Sequence, residues 1–373
     1  MDFSLTPEQN DAARLARRLL TDRCTQARLR EVEATGTRFD ADLWQELGAA
    51  GLLGLHLPES AGGAGLGLLE LCSVAIETGR AVAPVDLSPH AVAAAAIARF
   101  GTPEQVQAWV PTAAAGETVL TLALSEDHAD VPLRPTTIAE PSGDAGWTVS
   151  GVKTVVPAAT VADLFLVPAD TADGGVVLLV EKDTPGVRVE VQRLNDGDSV
   201  GRLELDGAKV PADRVLGAPD AGSDVTRWTA ARLTAVACAE QLGVVEGALE
   251  LTAEYARTRE QFGRPIGSFQ AVSQRLADGY IDVHGLRLTT WQAAWRLSED
   301  LPADVEVATA KLWAADTGHK IAHTTVHVHG GVGIDLDGQA HRYFTAAKRH
   351  ELMLGGSTRQ ALRVGRALAA EPV

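Results

Sequence analysis

Cysteine is scarce in this chain, and the spacing of the few that occur excludes several kinds of site. The three cysteines, Cys24, Cys72 and Cys238, lie far apart and form no CxxC pair and no zinc-ligand pattern. Isolated thiols are typical of a reducing compartment, where disulfides do not persist. We therefore expect buried, unpaired thiols, no metal site and a cytoplasmic location.

The chain has fewer positively than negatively charged residues, and it has few long apolar runs. The chain has 33 Lys and Arg against 49 Asp and Glu, a net charge of −16. Nucleic acids and anionic membranes are bound through basic faces, so this balance argues against both, although a local cationic pocket remains compatible with it. The apolar run from Ala91 to Ala98 is far too short to span a bilayer. The first ten residues lack the charged-then-apolar pattern of a secretory signal.

The patterning that is present predicts helices, then strands, then helices. The chain has 373 residues, of which 46% are hydrophobic, enough for two or three domains with a sizeable core. Helical periodicity predicts an N-terminal helical domain over residues 1–118. Short β-branched runs separated by Pro, Gly and Asp predict a β-sandwich or barrel over 119–221. Four long amphipathic segments predict a C-terminal four-helix bundle over 222–373.

One motif interrupts the helical pattern from Tyr255 to Gln270, where the chain reads YARTREQFGRPIGSFQ. Gly263 and Pro265 both break helices, so a plain inter-helix turn is one interpretation. The whole string also resembles the R-x-x-F-G-x-P-I-x-x-F-Q signature of the acyl-CoA dehydrogenases, whose helix–sheet–bundle order matches the entire chain. This resemblance implies a set of residues that reach the FAD of a neighbouring subunit: Arg259, Gln261, Phe262, Ile266, Phe269 and Gln270.

A second motif, VHVHGGVGID, begins at Val326. Glycines after a helix are common end signals, and they also expose backbone N–H groups to anions. The motif resembles the Q-x-x-G-G-x-G segment that binds FAD across the dimer in the same family. The resemblance implies cofactor contacts from Gly330 and Gly331, and from His327, which stands where Gln is usual; a packed or solvated histidine is the alternative.

The family's chemistry requires a carboxylate that this chain lacks at the expected place. Desaturation beside a thioester removes a proton from Cα while a hydride leaves Cβ for the flavin. The segment from His341 resembles the family helix that usually ends in the catalytic glutamate, followed by a flavin-side residue, here Ser357. The alignment puts Gly355 at the glutamate position, or Leu354 after a shift of one residue, and neither is a base.

Two other carboxylates are weak candidates for a displaced base. Glu240 lies on the first long C-terminal helix and Glu351 lies one turn before Gly355. A surface or structural carboxylate is the favoured interpretation of each.

In the β-domain, the segments that align with the family's flavin-facing motifs depart from the family pattern. Ser125 keeps a hydroxyl in a shortened version of the T-E-P-x-x-G-S-D loop. The K-x-W-I-T strand reads Lys153-Thr-Val-Val-Pro, so Val155 replaces the Trp and Pro157 replaces the Thr. Pro157 has neither a hydroxyl nor an N–H to offer the flavin.

The motifs that reach a neighbouring subunit's FAD are kept, whereas the glutamate and the flavin-facing segments of the β-domain are not. This difference leads to three hypotheses. The sequence resembles the base-less subunit of heterotetrameric acyl-CoA dehydrogenases of steroid side-chain degradation. That resemblance implies FAD, a bulky acyl-CoA, a homologous dehydrogenase subunit in an α2β2 complex, and an electron-transfer flavoprotein as acceptor. A self-sufficient homotetramer using Glu240 or Glu351 on an acyl-CoA or acyl-carrier substrate is the second hypothesis. A flavin-free scaffold on the same fold is the third.

Overall fold

A computed structural model of the protein describes residues 6–143, 146–194, 196–218 and 220–370. The first five residues, on which part of the signal-sequence expectation rests, lie outside these ranges. The helix–sheet–helix order confirms the predicted fold class, mainly α with a central β-domain. The domain boundaries stay a prediction.

Helices fill the N-terminal part of the chain. They are α1 (Pro7–Arg23), α2 (Gln26–Ala34), α3 (Ala41–Ala49), α4 (Leu68–Arg80), α5 (Leu87–Phe100) and α6 (Pro103–Ala114). Helix α1 begins as its sequence predicts, because Thr6 accepts a hydrogen bond from the Gln9 backbone and the Gln9 side chain accepts one from the Thr6 backbone.

The central strands form one seven-stranded sheet in the described part of the chain. They are β1 (Leu120–Leu122), β2 (Ile138–Pro141), β3 (Trp147–Val156), β4 (Leu164–Thr171), β5 (Gly174–Glu181), β6 (Val187–Arg193) and β7 (Ser199–Val210). The order is β1-β4-β2-β3-β7-β6, with β5 paired to β4. Strands β1 and β2 run parallel to β4, and the other pairs are antiparallel. Strand β2 was not predicted, because two of its four residues, Glu140 and Pro141, are of types that strands disfavour.

The described part of the C-terminal region contains five α-helices, one more than the four predicted. Its elements are α7 (Gly222–Thr258), the short strands β8 (Glu260–Gln261) and β9 (Arg264–Pro265), α8 (Gln270–Ser298), α9 (Asp304–His329), α10 (Ala340–Leu352) and α11 (Ser357–Ala370). Residues 340–370 are divided between α10 and α11, which accounts for the additional helix. Leu354 and Gly355 have φ of 59° and 92°, a left-handed conformation that ends α10.

The chain divides into two compact units. The helical unit comprises Met1–Leu29, Leu68–Ala83 and Thr234–Val373, and the sheet unit comprises Arg30–Gly67 and Pro84–Leu233. Within the helical unit, a Cβ atom on Gly79 would lie 1.9 Å from the Glu240 carbonyl oxygen. Glycine is therefore required where α4 and α7 pack backbone against backbone.

Candidate functional site

The predicted flavin-contacting stretch forms a hairpin at the end of α7 in the helical unit. Strands β8 and β9 pair Gln261 with Arg264 around a two-residue turn of Phe262 and Gly263. Both turn residues have positive φ, 52° and 76°, and the Phe262 side chain is 92% exposed. A positive φ is unfavourable for phenylalanine, so the turn holds this ring in solvent at a cost in backbone energy.

The rest of the hairpin orders the other predicted residues around that ring. The Arg264 guanidinium lies 4.3 Å from the centroid of the Phe269 ring. The Phe262 and Phe269 rings meet edge to face at 6.1 Å. The Ile266 N–H donates to the Arg259 carbonyl at 2.8 Å. Arg259, Gln261 and Gln270 are exposed, so the hairpin offers cationic, amide and aromatic groups to a ligand.

The glycine loop after α9 leaves its backbone open. His327 is exposed on the last turn of α9. Gly330 has φ of 64°, and a Cβ atom on Gly330 or Gly331 would meet nothing within 4 Å. A ligand can therefore approach the peptide groups closely, which is what binding a pyrophosphate to backbone N–H groups requires.

An aromatic stack joins the helix that leads into the hairpin to the helix that leads into the glycine loop. The Tyr255 and His329 rings stack at 4.3 Å with an interplanar angle of 22°. His329 is buried, and its Nδ1 donates to the Thr325 carbonyl at 2.8 Å. This stack connects the ends of α7 and α9, from which the hairpin and the glycine loop extend. The exposed groups of these two segments are of the kinds that bind FAD.

The loop at the expected glutamate position is held by hydrogen bonds from a buried side chain of the same chain. Gly355 is buried, with φ of 92°. The buried Gln360 amide donates to the carbonyls of Leu354 and Gly355 at 2.8 and 3.2 Å. Ser357 is the first residue of α11. Because its φ is positive, any side chain at position 355, glutamate included, would strain the backbone.

The two displaced-base candidates sit in structural surroundings. The Glu351 carboxylate accepts from Lys348 Nζ at 2.5 Å and lies 3.2 Å from His319 Nδ1. Glu240 is 8% exposed on α7, in the segment that packs against Gly79. These surroundings favour structural roles, and the identity of the base stays a prediction.

In the sheet unit, the segments that align with the family's flavin-facing motifs form hydrogen bonds within the chain. The Ser125 hydroxyl donates to the Asp130 carbonyl at 2.8 Å. The Val155 N–H donates to Gln192 Oε1 at 3.0 Å. The Pro157 carbonyl accepts from the Thr121 hydroxyl at 2.6 Å. Val155 has φ of 52°, within a shift of the β3–β7 register between Lys153 and Val156. These residues do not fit an isoalloxazine ring as the family's Trp and Thr do.

A buried ion pair beneath these segments was missed in the sequence analysis. Lys153 Nζ donates to Glu126 Oε1 at 2.7 Å, with side chains 0% and 2% exposed. The backbone and hydroxyl groups of Thr136 and Thr137 also donate to Glu126. Burial disfavours the carboxylate, but the hydrogen bonds from Lys153 and Thr137 outweigh it and lower the pKa of Glu126 to about 2. Burial lowers the pKa of Lys153, and the bond to Glu126 opposes that shift. The available signal was a lysine within an alternating strand pattern.

Three family profiles match the chain in order. "Acyl-CoA dehydrogenase, N-terminal domain" matches residues 6–117. "Acyl-CoA dehydrogenase, middle domain" matches 121–208, and "Acyl-CoA dehydrogenase, C-terminal domain" matches 220–369.

Individual relatives agree with the profiles. Acyl-CoA dehydrogenase FadE27 of Mycobacterium tuberculosis is 49% identical, covering 100% of both chains. A chain of the crystallised ChsE4–ChsE5 complex of the same organism superimposes with a TM-score of 0.95 at 49% identity over 100% of both chains. A variant of the Tcur3481–Tcur3483 steroid ACAD gives 0.91 at 44% identity, over 97% of this chain and 98% of the other. The chain belongs to the acyl-CoA dehydrogenase family.

Proposed function

We propose that this chain is a subunit of a heteromeric FAD-dependent acyl-CoA dehydrogenase that completes the flavin site of a homologous partner and lacks a base of its own. The observation that carries the proposal is a contrast between two sets of groups. The hairpin and glycine loop of the helical unit remain open to a ligand. The corresponding groups of the sheet unit bond internally.

The cofactor roles of the helical unit follow from its exposed groups. Arg259, Gln261 and Phe262 hold the partner's FAD from the hairpin, together with Gln270. The Gly330–Gly331 backbone and His327 hold its pyrophosphate. FAD, the cofactor that family membership supports, would supply the acceptor for the hydride that leaves Cβ of the substrate. The partner subunit supplies the carboxylate that removes the Cα proton.

The similar chains support the substrate class and the assembly. One relative is a chain of the ChsE4–ChsE5 complex, and another is named a steroid ACAD. We infer an α2β2 complex that desaturates a bulky, steroid-like acyl-CoA. We also infer that an electron-transfer flavoprotein accepts the electrons.

Co-expression with candidate partner dehydrogenases tests the proposal. Flavin content and acyl-CoA-dependent dye reduction are measured for each chain alone and for the pair. We expect flavin and activity only in the pair. Activity of this chain alone that is abolished by Glu351→Gln or Glu240→Gln would instead support the self-sufficient enzyme. A stable pair without flavin would support the scaffold.

A further inference from the structure

The helical unit contains a second cleft, away from the residues assigned to the flavin. It has a volume of about 190 Å³ and is lined by side chains of α1, α4, α7 and α8. Four guanidinium groups line it, those of Arg14, Arg17, Arg80 and Arg287. Two carboxylates line it as well, so the lining residues carry an excess of positive charge in a chain whose net charge is −16.

The two carboxylates are buried and position the arginines. Glu77 is 4% exposed and accepts two hydrogen bonds from Arg17, from Nε and Nη2, each at 2.8 Å. Glu246 is 8% exposed and accepts from Arg80 and Arg287. Each carboxylate is therefore already engaged on the protein side. Guanidinium groups held in this way are preorganised for an incoming anion, because little side-chain freedom is left to lose.

Two more carboxylates pair with these arginines at the rim, where they compete only weakly with an anionic ligand. Asp11 and Glu250 pair with Arg14 and Arg80 at the rim, but their side chains are 66% and 76% exposed, so water screens them. The Arg80 Nε atom is buried and makes no hydrogen bond among the described residues, although it lies 3.6 Å from Glu77 Oε2 in an ion pair. Trp291, 8% exposed, adds an apolar wall.

We propose that this cleft binds a small phosphate-bearing anion, either inorganic phosphate or the phosphate group of a monoester. Two N–H groups of one guanidinium match the spacing of two phosphate oxygens. A hydrogen bond between two ionised groups is also stronger than one between neutral groups. A phosphate group fits well within the volume of the cleft. The site is separate from the FAD contacts proposed above, and no step of the proposed reaction depends on it.

Titration calorimetry at low ionic strength tests the site, with inorganic phosphate and AMP as probes and the full-length chain, alone or with its partner, as the receptor. We expect saturable binding of both. Similar affinities would assign recognition to the phosphate alone, and tighter AMP binding would assign it to a larger monoester; both outcomes support the site. Absence of saturable binding by either probe would overturn it. Binding of an acidic peptide but not of phosphate would also overturn it, in favour of a protein partner.

Three variants make the test specific. The Arg14 side chain is 73% exposed, so the Arg14→Gln variant should fold normally. We expect this variant to weaken phosphate binding by about threefold. Arg287→Gln should weaken binding by about tenfold, with thermal unfolding used to check that the protein folds. Arg227→Gln is the matched control, because Arg227 forms the same i,i+3 pair with an aspartate as Arg14 does but lies outside the cleft. An equal loss of binding in this control would show nonspecific attraction and overturn the site.

Discussion

Two residues with the same unusual backbone conformation serve different ends in the two units. Phe262 and Val155 both have φ of 52° and both are exposed, at 92% and 49%. Around Phe262 the hairpin presents side chains to solvent, whereas the Val155 N–H is bonded to Gln192 within the sheet unit. Under the proposal above, the helical unit keeps its flavin-contacting groups exposed, whereas the corresponding groups of the sheet unit serve only its own structure.

Disrupting the buried Lys153–Glu126 ion pair should cause the largest loss of stability. Lys153→Met leaves the Glu126 carboxylate buried without its cation, so we expect a loss of about 3–5 kcal/mol in the free energy of unfolding, measured by urea denaturation. Lys182→Met is the control, because Lys182 pairs with Asp163 at the surface, and it should cost less than about 1 kcal/mol. If both variants lost the same stability, the sheet unit would not depend on a buried pair at this place.

Acid should weaken the sheet unit through His90. This histidine is fully buried; Nδ1 accepts from the Leu120 N–H and Nε2 donates to the Ala113 carbonyl. Burial is the main cause that lowers the pKa of His90 to about 3. The unfolded chain takes up a proton below pH of about 6.5 while the native state does not, so stability falls as pH drops from about 6.5 towards 3, by roughly 3–4 kcal/mol.

The variant His90→Gln should flatten this pH dependence, because glutamine does not titrate. Urea unfolding at several pH values between 7 and 4 measures it. The exposed His128→Gln in the same unit should keep the wild-type slope. An unchanged slope in His90→Gln would mean that other groups cause the loss.

Restoring a glutamate at position 355 should not restore the reaction. Gly355 has φ of 92°, so any side chain there is strained by about 1–2 kcal/mol. Gly355→Glu and Gly355→Ala should lose similar stability in thermal unfolding, and neither should reduce dye when purified alone. Dye reduction by Gly355→Glu alone would show that the chain needs only a base.

The smallest effect concerns the two strained residues themselves. Asparagine tolerates positive φ better than phenylalanine or valine, so Phe262→Asn and Val155→Asn should each stabilise the chain by up to about 1 kcal/mol. Urea denaturation of both variants measures this. Destabilisation by Phe262→Asn alone would mean that the ring is a packing residue.

Much of this architecture follows from periodicity and local signals, but the contrast between the two units does not. Thr6 and Pro7 define the start of α1, and the helix breakers Gly263 and Pro265 lie between α7 and α8 as predicted. The break after α10 was missed because Leu354, a good helix former, adopts φ of 59° there. The Glu126–Lys153 pair was missed because its partners are 27 residues apart and only the folded sheet unit buries them together. Whether a polar group faces a ligand or its own chain depends on such distant partners.

Flavin content of the complex with a partner dehydrogenase tests the central claim most directly. Equal amounts of the wild type, Phe262→Asn and Val155→Asn are co-purified with the partner, and FAD per complex is measured by absorbance. We expect Phe262→Asn to weaken FAD binding by about tenfold, because an exposed aromatic contact is lost, and Val155→Asn to leave it unchanged. Loss of FAD from Val155→Asn with full retention in Phe262→Asn would contradict the account, because the chain would then hold a flavin in its own sheet unit.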